Sequence, residues 1–312
     1  MELSFLLMQQ IAGMVLMGLC GYVLGRLGLV TREQSRVLSC VCVYLAAPCS
    51  LITSFSGKRD MEKLAGLGLC LLGAVLVNLL YFLLSALLSK GTRPLTREEQ
   101  ASVMYNNAGN LIMPMVQNVL GLEYVLYTSP YQLVQNILIW TYGQWLMGGG
   151  QKLNLKKILR TPALAGIAIG LVLFAAGITL PPVLQTAMSG LSGCMGPLSM
   201  LVIGILISDT DLKQVFLGRR IYWIAFLRLI LYPLLVLPLI LVLGRLFPLE
   251  DGINILTVLL LSSIGPAAST VTQQAQFFRN PNSGYVSSIN VLTILLSAVT
   301  MPLILWVFLK LL

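Results

Sequence analysis

Apolar residues run along this chain in long blocks, separated by short charged or Pro/Gly-rich stretches. Ten blocks stand out, at 5–25, 34–55, 62–88, 99–120, 124–147, 161–181, 185–208, 220–245, 252–275 and 284–311. A bilayer-spanning helix needs roughly 20 mostly apolar residues. The pattern therefore predicts an all-α integral membrane protein of ten transmembrane helices joined by short loops. The fourth block is the least apolar, because Met104 to Asn110 is mostly polar and small.

The widest hinge is Gly148-Gly149-Gly150 and the basic stretch after it. It divides the chain into 1–150 and 151–312, with five spans on each side. An odd number of spans per half places the second half upside down relative to the first, the arithmetic of an inverted repeat. Prolines fall at matching ranks: Pro48 in span two and Pro197 in span seven, Pro114 in span four and Pro266 in span nine.

Spans four and nine are the ones that break. Span four reads Tyr105-Asn106-Asn107-Ala108-Gly109-Asn110-Leu111-Ile112-Met113-Pro114, and span nine reads Ser262-Ser263-Ile264-Gly265-Pro266-Ala267-Ala268-Ser269-Thr270. Proline removes a backbone donor and clashes with the carbonyl four residues back. Non-helical backbone at membrane depth is tolerated only inside protein or along a watery cavity. Each segment is thus either an unwound binding element or a kink patched by hydrogen-bonding side chains. On the first reading, half-helices open after Pro114 and Pro266, and their N–H groups and positive dipole ends face the break. Such a place suits a carboxylate or another small anion.

Two polar stripes fit the same site. Gln132, Asn136, Trp140 and Gln144 recur every four residues in span five, and Asn290, Thr293, Ser297 and Thr300 recur at steps of three and four in span ten. Such spacing puts each set on one helical face, where it lines a pocket or bonds neighbouring helices. Candidate substrate contacts are Asn106, Asn107, Gly109, Asn110, Pro114, Gln132, Asn136, Ser263, Gly265, Pro266, Ser269, Asn290 and Thr293. Arg228 lies within span eight, about eight residues from its cytoplasmic end, and reads as a side chain snorkelling to the surface. Asn78 in span three reads as helix-packing glue.

Composition agrees with lipid as the solvent. Of 312 residues, 57% are hydrophobic and 10% charged, against about 25% charged in soluble domains. The net charge of +9 is read as orientation bias, with no nucleic-acid partner implied. Fourteen of the 20 Lys and Arg residues lie in the loops after the odd-numbered spans. Lys58, Arg59, Lys63, Arg245 and Lys310 lie on the opposite side. The positive-inside rule then puts both termini outside the cytoplasmic membrane. Met1 to Cys20 carries no Lys or Arg, so the first run is expected to be a permanent span instead of a cleaved signal.

Candidate chemistry narrows the class further. The chain has no His, and its six Cys fall within apolar stretches with no zinc-like spacing. No metal or other cofactor is expected. All eleven acidic residues sit in loops or at span ends, whereas intramembrane carboxylates mark proton relays and cation paths. Intramembrane hydrolases also lack their groups here, so no enzyme activity is expected.

Several stretches together resemble the auxin efflux carrier family, which includes the plant PIN carriers and bacterial permeases, some for malate or malonate. They are Gly21-Tyr22-Val23-Leu24-Gly25-Arg26-Leu27-Gly28-Leu29, Asn107-x-Gly109-x-x-x-x-Pro114, Arg228-Leu229-Ile230-Leu231-Tyr232-Pro233, and the run from Pro266. The resemblance implies a five-plus-five inverted repeat in which helices four and nine cross at the substrate site. It implies a scaffold at 1–57 and 158–215 that dimerises, and a transport domain at 58–150 and 216–312 that moves as an elevator. The family's crossover Asn corresponds to Asn107, and its crossover prolines to Pro114 and Pro266. Asn110, Ile112 and Gly265 depart from the family's usual residues, and the long cytoplasmic loop of plant carriers is missing. The leading expectation is a permease for a small organic anion, a mono- or dicarboxylate. Alternatives are a sodium-coupled symporter resembling the bile acid carriers and a non-transporting membrane sensor.

Overall fold

A computed structural model describes residues 2–55, 61–91, 93–148, 162–209, 218–278 and 280–312. The Gly149–Arg160 part of the hinge and the loop at 210–217 lie outside the described residues. Every regular element described is helical. In chain order they are α1 (Glu2–Arg26), α2 (35–55), α3 (Met61–Leu88), α4 (Arg97–Met104), α5 (108–119), α6 (122–147), α7 (Pro162–Ala176), α8 (Pro182–Ser208), α9 (Arg219–Leu246), α10 (Gly252–Ile264), α11 (Ser269–Phe277) and α12 (Ser283–Leu311).

By length and composition, four stretches can each cross a membrane: Lys63–Leu88, Pro182–Ser208, Arg219–Leu246 and Ser283–Leu311. Shorter apolar stretches run over Val15–Arg26, Tyr44–Thr53, Ala165–Ala176 and Gly252–Ile264. The outside of α3 and α9 is a wall of exposed apolar side chains, among them Leu79, Leu83, Leu87, Phe226, Leu234 and Val242. In water that wall would drive aggregation; in a bilayer it meets its own kind.

Three prolines explain three local irregularities. One-turn π segments at Cys42–Ala46, Ala108–Ile112 and Leu227–Leu231 each end two residues before a proline: Pro48, Pro114 and Pro233. Proline cannot donate to the carbonyl four residues back, and its ring crowds that carbonyl. Widening the preceding turn gives the ring room and keeps the helix going. Pro114 therefore lies within α5 and does not open it. The chain is unwound earlier, at Tyr105 to Asn107.

Close helix contacts depend on glycine. Gly18 and Gly21 of α1 meet Leu201 and Gly204 of α8 backbone to backbone, the small-residue packing expected where apolar burial gives no drive. A Cβ on Gly204 would overlap the Gly18 carbonyl and lie 2.6 Å from the Tyr22 nitrogen. Gly204→Val should lower the melting temperature of detergent-purified protein, because overpacking costs about 1–3 kcal/mol. Gly190→Ala, where nothing lies within 4 Å of the added Cβ, should leave it unchanged. Equal melting of the two variants would refute this tight crossing.

At one end of the molecule, buried acids tie α4, α9 and α12 together. Thr96 and Glu99 form a reciprocal cap at the start of α4. The Glu99 carboxylate also accepts from Arg220 Nε at 2.5 Å and Nη2 at 2.7 Å, and from the Tyr285 hydroxyl at 2.7 Å. Glu98 accepts from the side-chain amides of Asn280 and Asn282 at 3.1 and 3.2 Å. These carboxylates serve packing and capping at a helix end, the position read for them from the sequence.

Candidate functional site

The two breaks lie against each other. Residues Tyr105 to Asn107, between α4 and α5, run antiparallel to Gly265 to Ala268, between α10 and α11, bridged at Asn106 and Ala267. The Asn107 N–H donates to the Pro266 carbonyl at 2.9 Å, and the Ala268 N–H donates to Tyr105 at 3.0 Å. Two strands of so short a bridge cannot satisfy all their own polar groups, and buried backbone needs partners. Neighbouring helices supply them.

On one side, Gln135 of α6 clasps the Asn106 peptide. Its Nε2 donates to the carbonyl at 2.6 Å, and its Oε1 accepts from the N–H at 3.4 Å. On the other side, Asn290 and Thr293 of α12 clasp the Ala267 peptide. Asn290 Nδ2 donates to the carbonyl at 2.7 Å, and Thr293 Oγ1 accepts from the N–H at 3.2 Å. A side chain of α6 thus does for the first break what a pair on α12 does for the second.

The C-terminal ends of the first half-helices are closed by three other groups. Arg228 of α9 is completely buried. It donates to the carbonyls of Gly265 at 2.9 Å, Val103 at 3.0 Å and Ser263 at 2.7 Å. The Tyr81 hydroxyl donates to Ser263 at 3.1 Å, and the Arg228 guanidinium lies 5.1 Å from the Tyr81 ring centre. Asn106 Nδ2 donates to the carbonyls of Ser262 and Ser263 and, at 3.4 Å, to the Tyr131 hydroxyl. The snorkelling expected of Arg228 is overturned: it is the largest fully buried side chain among the described residues. Carbonyls at the ends of two broken helices offer it more than the surface could.

Asn107 differs from all of these. It occupies the residue before the first turn of α5, yet its side chain makes no capping bond there. Asn at that position ordinarily accepts from an N–H of the first turn. The residue is 4% exposed and its Nδ2 has no partner. The Asn106 Oδ1 and Ser262 Oγ atoms beside the crossing are likewise unpartnered. Such atoms are costly unless a bound molecule or water satisfies them.

Some of the remaining candidates build the frame of the crossing and others do not. Gly109 is partly buried in the first turn of α5, and a Cβ there would come within 3.7 Å of Gln132 Oε1 only. Gln132 is buried and donates to Thr128 Oγ1 at 3.2 Å. Asn110 lies in the π turn of α5, its side chain outside the described set. Ser269 opens α11 and is partly buried, as is Asn136. Ser263, Gly265, Pro266, Asn290 and Thr293 build the frame just described, whereas Pro114 lies within α5, beyond the unwound stretch. Sequence reasoning missed Gln135, Tyr81 and Tyr131. The four-residue stripe pointed to one face of α6, and Gln135 stands three residues after Gln132, on the adjoining edge.

A crossing of two unwound helices inside an apolar, all-helical shell is the build of a multi-pass membrane transporter. Comparison with known proteins agrees. The family model described as "Membrane transport protein" matches residues 6–153 and 149–305. This chain belongs to that family, the auxin efflux carriers. No curated protein matches the chain. A transporter family is not an enzyme class, consistent with the absence of hydrolytic groups from the spans.

Proposed function

We propose that this protein is a secondary transporter for a small organic anion, a carboxylate, bound at the crossing. The observation that carries the reading is the buried, unpartnered Nδ2 of Asn107 beside the uncapped first turn of α5. Within a helix the first N–H groups find no acceptor, and each N-terminus carries roughly half a positive charge. The starts of α5 and α11 together present about one positive charge, the match for one carboxylate. Family membership supplies transport; these groups support an anionic cargo.

The larger architecture is proposed on the same footing. Helices cover each of the ten intervals, and the breaks hold equal rank in the two halves. Their braces come from α6 and α12, also of equal rank, as a five-plus-five inverted repeat requires. Within the proposed scaffold, α1 packs on α8 and α2 packs on α7. The braced crossing belongs to the other helices and would travel as one body in an elevator cycle. The protein would sit in the cell membrane with both termini outside, as a dimer through the scaffold.

The test is a thermal-shift screen of purified protein against mono- and dicarboxylates, inorganic anions, cations and neutral solutes. A ligand at about 100 times its Kd stabilises the native state by roughly 2.7 kcal/mol. Stabilisation by a carboxylate, with none from cations or neutral solutes, is the expected result. A clear hit among cations or neutral solutes alone would overturn the polarity of the proposed site.

A further inference from the structure

The Arg228 guanidinium is at zero exposure, and no carboxylate among the described residues pairs with it. The ion pairs among the described residues are Arg32–Asp209 and Arg220–Glu99, and neither involves it. A buried unpaired charge is normally prohibitive. What compensates this one is backbone. Val103 ends α4 near its last turn, and Ser263 and Gly265 end α10, so the guanidinium sits against two helix C-termini at once. Each such end carries roughly half a negative charge, and the two together offset about one positive charge.

Five further carbonyls of the crossing are engaged within the chain. Tyr105 accepts from Ala268, Pro266 from Asn107, and Asn107 from Leu111 and Ile112. Asn106 accepts from Gln135, and Ala267 from Asn290. A hard metal cation needs several oxygen ligands; Asn106 Oδ1 and Ser262 Oγ are unpartnered here, but the negative helix ends that would attract a metal already hold a cation fixed to the chain.

We infer that Arg228 is a built-in cation, standing where a broken-helix crossing would otherwise bind a metal ion, so that the crossing takes up no co-transported metal cation. The negative half of the crossing is neutralised within the chain, leaving the positive starts of α5 and α11 for cargo. This deepens the proposed function and rests on the crossing being the transport site. It predicts a carrier whose cargo binding is indifferent to sodium.

The experiment reads the stability of purified protein without cargo, so it stands apart from whether a carboxylate is carried. The native protein is melted in sodium, potassium or N-methylglucamine chloride at one ionic strength, beside Arg228→Lys, Arg228→Met and Arg228→Ala. No sodium-specific shift is expected in the native protein. Arg228→Met, which keeps length and removes charge, should melt roughly 5 °C or more below the native protein, and Arg228→Lys should retain most of that difference. Arg228→Ala should be stabilised selectively by millimolar methylguanidinium or an alkali cation entering the vacated place. A sodium-specific shift in the native protein overturns the inference, as does Arg228→Met melting with or above Arg228→Lys. If no Arg228 variant can be purified, the salt comparison on the native protein decides alone.

Discussion

Replacing Asn107 with Ala is expected to weaken binding of the proposed carboxylate by about 10- to 150-fold while the protein still folds and reaches the membrane. A hydrogen bond to a charged partner contributes about 1.5–3 kcal/mol, and every 1.4 kcal/mol is about tenfold in affinity. The folded state should hardly register the loss. Asn107 Nδ2 has no partner within the protein, and its backbone N–H, which does bond Pro266, survives the substitution. The measurement is the ligand-induced thermal shift, or uptake in vesicles, set against the melting temperature without ligand. Asn107→Asp is the sharper variant. It keeps size and shape and replaces the donor with a carboxylate facing the start of α5, so anion binding should vanish while the melting temperature holds or rises. An unchanged affinity in both variants would remove Asn107 from the site and take the main support for an anionic cargo with it.

Much of this arrangement is legible in the sequence, and the limits have physical causes. Spans 62–88, 220–245 and 284–311 are read within a few residues of α3, α9 and α12 because a run of apolar residues against lipid has one common solution. The two breaks are legible because Asn-Asn-x-Gly and Gly-Pro are costly in a continuous membrane helix. Which residue of a break faces cargo is not legible. Asn106 and Asn107 are neighbours of the same type, and only the antiparallel bridge sends one side chain to the end of α10 and leaves the other free. Pro114 misled the placement of the half-helix start, since a π turn before a proline has no signature beyond the proline. Arg228 misled more seriously. Snorkelling is the usual solution for a basic residue near a span end, and two helix ends meeting beside it could not be read from one helix.

That contrast between neighbours makes the second large effect a loss of stability, not of affinity. Asn106→Ala is expected to cost about 1–3 kcal/mol, a clear fall in melting temperature, while cargo still shifts the melting of whatever folds. The size follows from which acceptors are left behind. Ser263 keeps Arg228 and Tyr81 as donors, but Ser262 loses the side-chain donor that Asn106 supplies at the open end of α10. Asn78, although its side chain also reaches Tyr131, is the closest comparison of the same residue type. Its Nδ2 donates to Ala74, four residues back within α3, so that carbonyl keeps its place in a continuous helix. Side-chain hydrogen bonds even between membrane helices average only about 0.6 kcal/mol, and this one stays within a single helix, so Asn78→Leu should melt close to the native protein. The same side-chain type, similarly buried, therefore carries unequal weight in the two places. Asn78 decorates a helix whose backbone is already satisfied, whereas Asn106 closes one that ends inside the protein. Equal melting of the two variants would show that the unwound crossing is held by its backbone bridge and Arg228 alone.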